Sequence, residues 1–291
     1  MISEIKTALQ KLLHFFLVKI IIGIAAIVGV VFLTQTLGQA LLNQTALSEN
    51  AQNFIIALLN SGFALIVYIF LFRFYEKRKI TELSASDFLS FSSIGFAGGF
   101  ILQSLFVLII YLFARYSILR VNGMNAVIPA FNTSLTAGFV AELLIVGVFF
   151  RLMEEKLGTT ITLLILVILF AVMHANAKNA TWLSVINTAL QSGIMLPATY
   201  VLSRSLWFTI FMHFAWDFTE PGIFGGINPG NNINESLFTG KINGAEILTG
   251  GLNGPQNSIQ AFIICLVVSL IFLMMAKKRN RFIKPTWLNK K

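Results

Sequence analysis

The chain has 291 residues, a mean hydropathy of +0.81 and only 11% charged residues. A soluble domain carries roughly 25% charged residues, so this composition excludes a water-covered globule and points to lipid as the solvent. The net charge of +9 would suit nucleic acid, but the placement of the basic residues assigns it elsewhere, and no nucleic-acid partner is expected.

A membrane-spanning helix needs about 20 mostly apolar residues. Runs of that kind fall at 12–33, 54–72, 94–114, 127–150, 159–175, 182–202, 206–218 and 259–276, the seventh being short. The fold class expected is all-α: a polytopic membrane protein of about eight transmembrane helices, with both termini on one side. The first run is long enough to span and no small-residue cleavage site follows it, so no cleavable signal peptide is expected. The single cysteine, Cys265, lies in an apolar run and allows no intrachain disulfide.

Lysine and arginine side with one face. With the termini inside, the inner segments and the tail hold 16 of them, from Lys6 and Lys11 through Arg73, Lys77, Arg78, Lys79, Arg151, Lys156 and Arg204 to the group 277–291. The outer loops hold four: Arg115, Arg120, Lys178 and Lys241. Lys19 lies within the first span. This is the positive-inside pattern, and it predicts cytoplasmic N and C termini in a cell (inner) membrane. The basic tail is expected against anionic headgroups, with membrane lipids as partners. Residues 220–257 form a long outer loop rich in Gly and Asn, a composition that favours turns over strands or helices. The expected division is 1–126 for the first three helices, 127–220 for a core of helices four to seven, 221–257 for the outer loop, and 258–291 for the last helix and tail.

Ionisable groups are costly in hydrocarbon, and those that remain tend to face a cavity or each other. Of the acidic residues, only Glu142 and Asp217 fall inside the expected spans. His174 and His213 share those spans, and His14 sits at the inner end of the first, where it reads as interfacial. Helical rise puts Glu142 and His213 each roughly 14 Å from the inner-side Arg151 and Arg204, near mid-membrane. Asp217 shares a face with His213 at i,i+4, and His174 falls toward the outer half. The plain alternatives are a carboxylate satisfied within the bundle, an interfacial histidine and a local His213–Asp217 pair. Trp182, Trp207 and Trp216, near span ends, read as belt residues.

The motifs also carry a resemblance. An acidic helix is followed by Phe170-Ala171-Val172-Met173-His174 and then by His213-Phe214-Ala215-Trp216-Asp217. This order resembles the CAAX-protease and bacteriocin-processing family of intramembrane endopeptidases, whose motifs read Glu-Glu-x-x-x-Arg, Phe-x-x-x-His and His-x-x-x-Asn/Asp. Phe150–Gly158 and Leu248–Pro255 also look like segments that flank these motifs in the family. The first motif departs from the pattern. Its first Glu falls on Ala141 and its Arg on Val146; Glu142 matches the second Glu alone. The resemblance implies catalytic positions at Glu142, His174, His213 and Asp217, with His174 as a base partner and His213 with Asp217 on the oxyanion side. It also implies a membrane-associated peptide or protein as substrate.

Losing a buried carboxylate or its guanidinium alone would strand a charge at about 3–5 kcal/mol; losing both together is far cheaper. The chemistry expected is peptide hydrolysis by His174 and Glu142 used differently. The alternative is an inactive pseudoprotease that binds a membrane peptide or regulates a partner. A proton path through Glu142 and the histidines is a third reading, without the related halves common in transporters. Two histidines and two carboxylates are also zinc-type donors, but the His-Glu-x-x-His signature is absent. Neither a cofactor nor a metal is expected.

Overall fold

A computed structural model describes residues 15–113, 116–225 and 236–288. His14, Lys6, Lys11, Arg115, Lys290 and Lys291, named above, lie outside the described residues. The architecture is helical, with eight main helices among the described residues. They are α1 Phe16–Leu42, α2 Glu49–Tyr75, α3 Ala85–Phe113, α4 Met124–Leu157, α5 Thr159–Ala175, α6 Trp182–Ser203, α7 Leu206–Phe218 and α8 Ile259–Lys278. All but α5 and α7 are long and apolar enough to cross a membrane, which makes this a membrane protein of six such helices. Helices α5 and α7 coincide with the expected runs and are shorter than the other six.

The helix starts follow local chemistry. Ser48 accepts from the Ala51 N–H and Ser258 from the Ala261 N–H, each satisfying an orphan donor of a first turn. Thr181 and Ser184 form a reciprocal capping box at α6. Helix α6 ends at Arg204, whose φ of 59° is left-handed. The Arg204 guanidinium is held 2.6 Å from Glu154, and Glu154 also accepts from Thr159 at 2.5 Å. That clamp fixes the tight turn into α7.

Helix α7 is nearly all buried. It lies between α3 and α4, and glycines on both let the backbones close in. A Cβ at Gly99 would collide with the Met212 carbonyl, and one at Gly95 with that of Phe208. A Cβ at Gly138 of α4 would come 2.9 Å from the Phe214 nitrogen. Small residues at such contacts are the usual route to close helix packing in lipid. Phe131, Phe139, Phe211 and Phe214 fill the space beside them with edge-on rings.

At the end of the bundle rich in Lys and Arg, a buried ionic layer ties α1, α2 with the connector that follows it, and α4 together. Glu76 meets Lys19 at 3.0 Å, Arg151 at 3.0 Å and Arg78 at 3.2 Å. Lys19, inside the first span by sequence, reaches this layer along its stem. Glu82 pairs with Arg78 and accepts from the Tyr68 hydroxyl at 2.6 Å. Burial pushes the Glu82 carboxyl up, but the Arg78 hydrogen bond and charge, with Tyr68, more than offset it and hold its pKa below the ordinary value.

At the opposite end, Tyr116–Val121 pairs antiparallel with Phe238–Ile242. The Gly/Asn-rich segment therefore contains a strand, a correction to the expectation of turns alone. Its partner lies across the chain in the connector after α3, so no local pattern announces the pairing. Glu220, expected at the start of that loop, instead sits in a π-helical extension of α7, Thr219–Phe224. Trp207 and Trp216 are also corrected. Both are buried, with Trp207 donating to the Ser84 carbonyl and Trp216 to Gln256. Trp182 is exposed.

Candidate functional site

Glu142 is the last α-helical residue before a π-helical stretch of α4, Leu143–Phe150. Wide turns of this kind recur at functional sites because they re-aim the side chains around them. Glu142 is 2% exposed, and its Oε1 lies 2.6 Å from His213 Nδ1 on α7. One turn further along α7, Asp217 Oδ2 lies 3.2 Å from His213 Nε2. Both ring nitrogens thus face a carboxyl group. The imidazole is held in one orientation by residues from two helices.

His174 stands near the end of α5. Its Nδ1 lies 3.0 Å from the carbonyl of Phe170, one turn back. Nδ1–H therefore donates, which leaves Nε2 with its lone pair. His174 makes no hydrogen bond to the other three site residues. It lines the same cavity as His213 and Asp217, a space of about 280 Å³. Glu142 lies behind His213 and does not line the cavity. Three of the four sequence-derived residues thus line one cavity, and the fourth holds His213 from behind. Ala141 is half-buried, and Val146 is fully enclosed in the core.

The rest of the cavity is unusually polar for a membrane bundle. Ser184, Thr188, Gln191 and Ser192 of α6 line one side, and Asn253, Gln256 and Asn257 of the returning loop line another. Gln256 draws that loop inward. Its carbonyl accepts from Gln191 at 2.7 Å, and its Oε1 accepts from Trp216 at 2.6 Å and Gln103 at 3.3 Å. Asn253 donates to the Asn179 carbonyl at 2.9 Å. Gly254, with φ of 79°, is packed against the Glu220 carboxylate too closely for any side chain. Gln191 and Gln256 were missed in the sequence. An amide in the apolar α6 run was the available signal for Gln191; Gln256 had none beyond its neighbour Pro255.

Glu142 Oε2 is buried and has no hydrogen-bond partner among the described residues, a costly state that an additional donor would relieve. No group of three or more His, Cys, Asp or Glu side chains arranged to hold a metal is found among the described residues.

Residues 123–219 match the family model described as type II CAAX prenyl endopeptidase Rce1-like. The match covers α4 through α7, the helices that carry Glu142, His174, His213 and Asp217. No curated protein matches the chain, and no solved structure matches it either.

Proposed function

From the membership of its core in the CAAX-protease family, we propose that this membrane protein takes a segment of a membrane-associated peptide or protein into the polar cavity and hydrolyses it there. The observation that carries this reading is the cavity lined together by His174, His213 and Asp217 from two separate helices, with Glu142 bracing His213 from a third.

Amide hydrolysis requires a group that takes a proton from water and a donor for the developing oxyanion. Both His213 nitrogens are occupied by carboxylates, so the base is His174 through Nε2. The oxyanion side is assigned to His213, whose Nε2–H would turn to the developing oxyanion in place of the partly exposed Asp217 at 3.2 Å, while Glu142 positions the ring from Nδ1. Side-chain amides at Gln191 and Gln256 suit a peptide backbone in an extended form. In this reading all eight helices span the cell membrane, both termini are cytoplasmic and the cavity faces outward, as the distribution of Lys and Arg supports. The first three helices scaffold the core at 127–220.

A second reading is favoured by a specific observation. Ala141 stands where the family's first glutamate falls, and the neighbouring Glu142 is committed to His213 behind the wall. On that reading the chain binds the same peptide without cutting it and regulates its fate. Purified protein incubated with membrane-associated peptides separates the two. Turnover that disappears in His174→Ala supports hydrolysis. Binding without turnover establishes the second reading, and turnover that persists in His174→Ala removes the assigned role of His174.

A further inference from the structure

A second cavity lies at the opposite, cationic end of the bundle. It measures about 660 Å³ and is lined by Ile69, Arg73, Lys77, Arg78, Lys79, Ile80 and Leu83. The wide π-turn Leu71–Tyr75 ends α2 here, and Lys77 holds a left-handed backbone at φ 55°. The chain therefore doubles back, and three basic side chains are brought around one hollow.

The charges in this hollow are of two kinds. Arg78 is spent on Glu76 and Glu82 and stacks on Phe72 at 4.9 Å. Arg73, Lys77 and Lys79 are exposed, and none of them has a carboxylate partner among the described residues. Three cations left unneutralised around one concavity call for an anion. The hollow is also lined by the aliphatic side chains of Ile69, Ile80 and Leu83. Beside it on α2, Phe70 and Phe74 project outward, each 60% exposed, with ring centroids 4.6 Å apart.

We infer that this hollow is a binding site for an anionic phospholipid, with the headgroup phosphate held by Arg73, Lys77 and Lys79 and the upper acyl chain laid against Ile69, Ile80 and Leu83. A free phosphate would use the cations alone and leave the aliphatic surface wet. The combination of unneutralised cations and an aliphatic lining selects the lipid. Basic pockets at helix ends on the cytoplasmic side are suited to such headgroups, and the site is separate from the polar cavity and its chemistry.

The test is native mass spectrometry of the full-length protein in detergent, titrated with phosphatidylglycerol. Phosphatidylcholine serves as the zwitterionic arm and inorganic phosphate as the soluble arm. The wild type is expected to retain phosphatidylglycerol in preference to phosphatidylcholine. The variant Arg73→Gln/Lys77→Gln/Lys79→Gln is expected to lose affinity by a factor on the order of a hundred, from three juxtamembrane charges. The charge-keeping variant Arg73→Lys/Lys77→Arg/Lys79→Arg is expected to retain it, which separates loss of charge from loss of fold. The outer-loop variant Arg120→Gln/Lys178→Gln/Lys241→Gln, which removes three cations away from the hollow, is expected to leave it unchanged. Undiminished lipid binding by the triple glutamine variant at 73, 77 and 79, or an equal loss in the outer-loop variant, would overturn the site. Inorganic phosphate that displaces the lipid at comparable concentration would overturn its assignment to a lipid.

Discussion

His213 and Glu142 lie 71 positions apart and on different helices, yet their side chains meet at 2.6 Å. The contact depends on α7 reaching deep between α3 and α4, and on the carboxylate lying behind the cavity wall, not on it. It makes Glu142 a positioning residue whose loss acts through the histidine.

Glu142→Leu removes one partner of a buried pair and leaves His213 to Asp217 alone. The expected loss of stability is about 3–5 kcal/mol, read as a lowered thermal midpoint in detergent. Glu142→Gln keeps an acceptor at the same place and is expected to cost clearly less. Asp217→Asn removes a side chain that is 36% exposed, so water screens the change and the midpoint is expected to move least.

The glycine contacts set the depth of α7. Gly99→Val would push its Cβ into the backbone of Met212, where no flexible side chain can give way. Overpacking costs about 1–3 kcal/mol, occasionally more, and rigid backbone on one side favours the upper end. Thermal unfolding measures the cost. The same change at Gly98, whose Cβ would meet nothing within 4 Å, is expected to be tolerated.

The ionic layer predicts an acid limb of stability. Glu82 outside the spans has a pKa held below its ordinary value of 4.5. A depressed carboxyl contributes stability that is complete above the unfolded value and is lost as pH falls through the lower folded one. Unfolding in detergent is therefore expected to be insensitive to Glu82 protonation near neutrality and to become easier below about pH 4.5. Arg78→Gln removes hydrogen bonds to a charged group worth about 1.5–3 kcal/mol. It lowers stability at neutral pH and flattens the acid limb. An acid limb of the same depth in that variant would remove Glu82 as its source.

Ala141→Glu tests what the first motif has lost. A half-buried position can accept a carboxylate, and a second base near a reacting water contributes roughly a hundredfold or more. Peptide turnover is expected to rise in the variant. Val146→Arg is expected to destabilise, because Val146 is fully enclosed, so the guanidinium cannot be restored by a single exchange.

Much of this architecture was legible in the sequence. Apolar runs delimit helices because every backbone group in lipid must be satisfied within its own segment; the limits of α5 and α7 read from hydropathy agree with those of the fold. His174, His213 and Asp217 could be chosen because ionisable groups are rare in such runs. Other features depend on contacts between distant segments and leave no local signal. Gln256 is drawn inward by Gln191, Trp216 and Gln103 from three other helices. Trp216 resembles a belt residue until the loop closes over it. Tyr116 and Ile242 find each other across most of the core. The π-turns after Glu142 and Phe218 also escape a period-based reading, since each changes the helical register for a single short stretch.

Thiol labelling of Ser192→Cys measures most directly whether the cavity beside His174 and His213 is open to water. Ser192 lines it, and the native Cys265 is buried, so wild-type background is expected to be low. In the folded protein, a charged maleimide that does not enter lipid is predicted to react with Ser192→Cys and to be slowed by a bound membrane-associated peptide. A thiol at this position that reacts only after unfolding in detergent would mean that packed side chains or lipid fill the space, and a hydrolytic or peptide-binding site there would be ruled out.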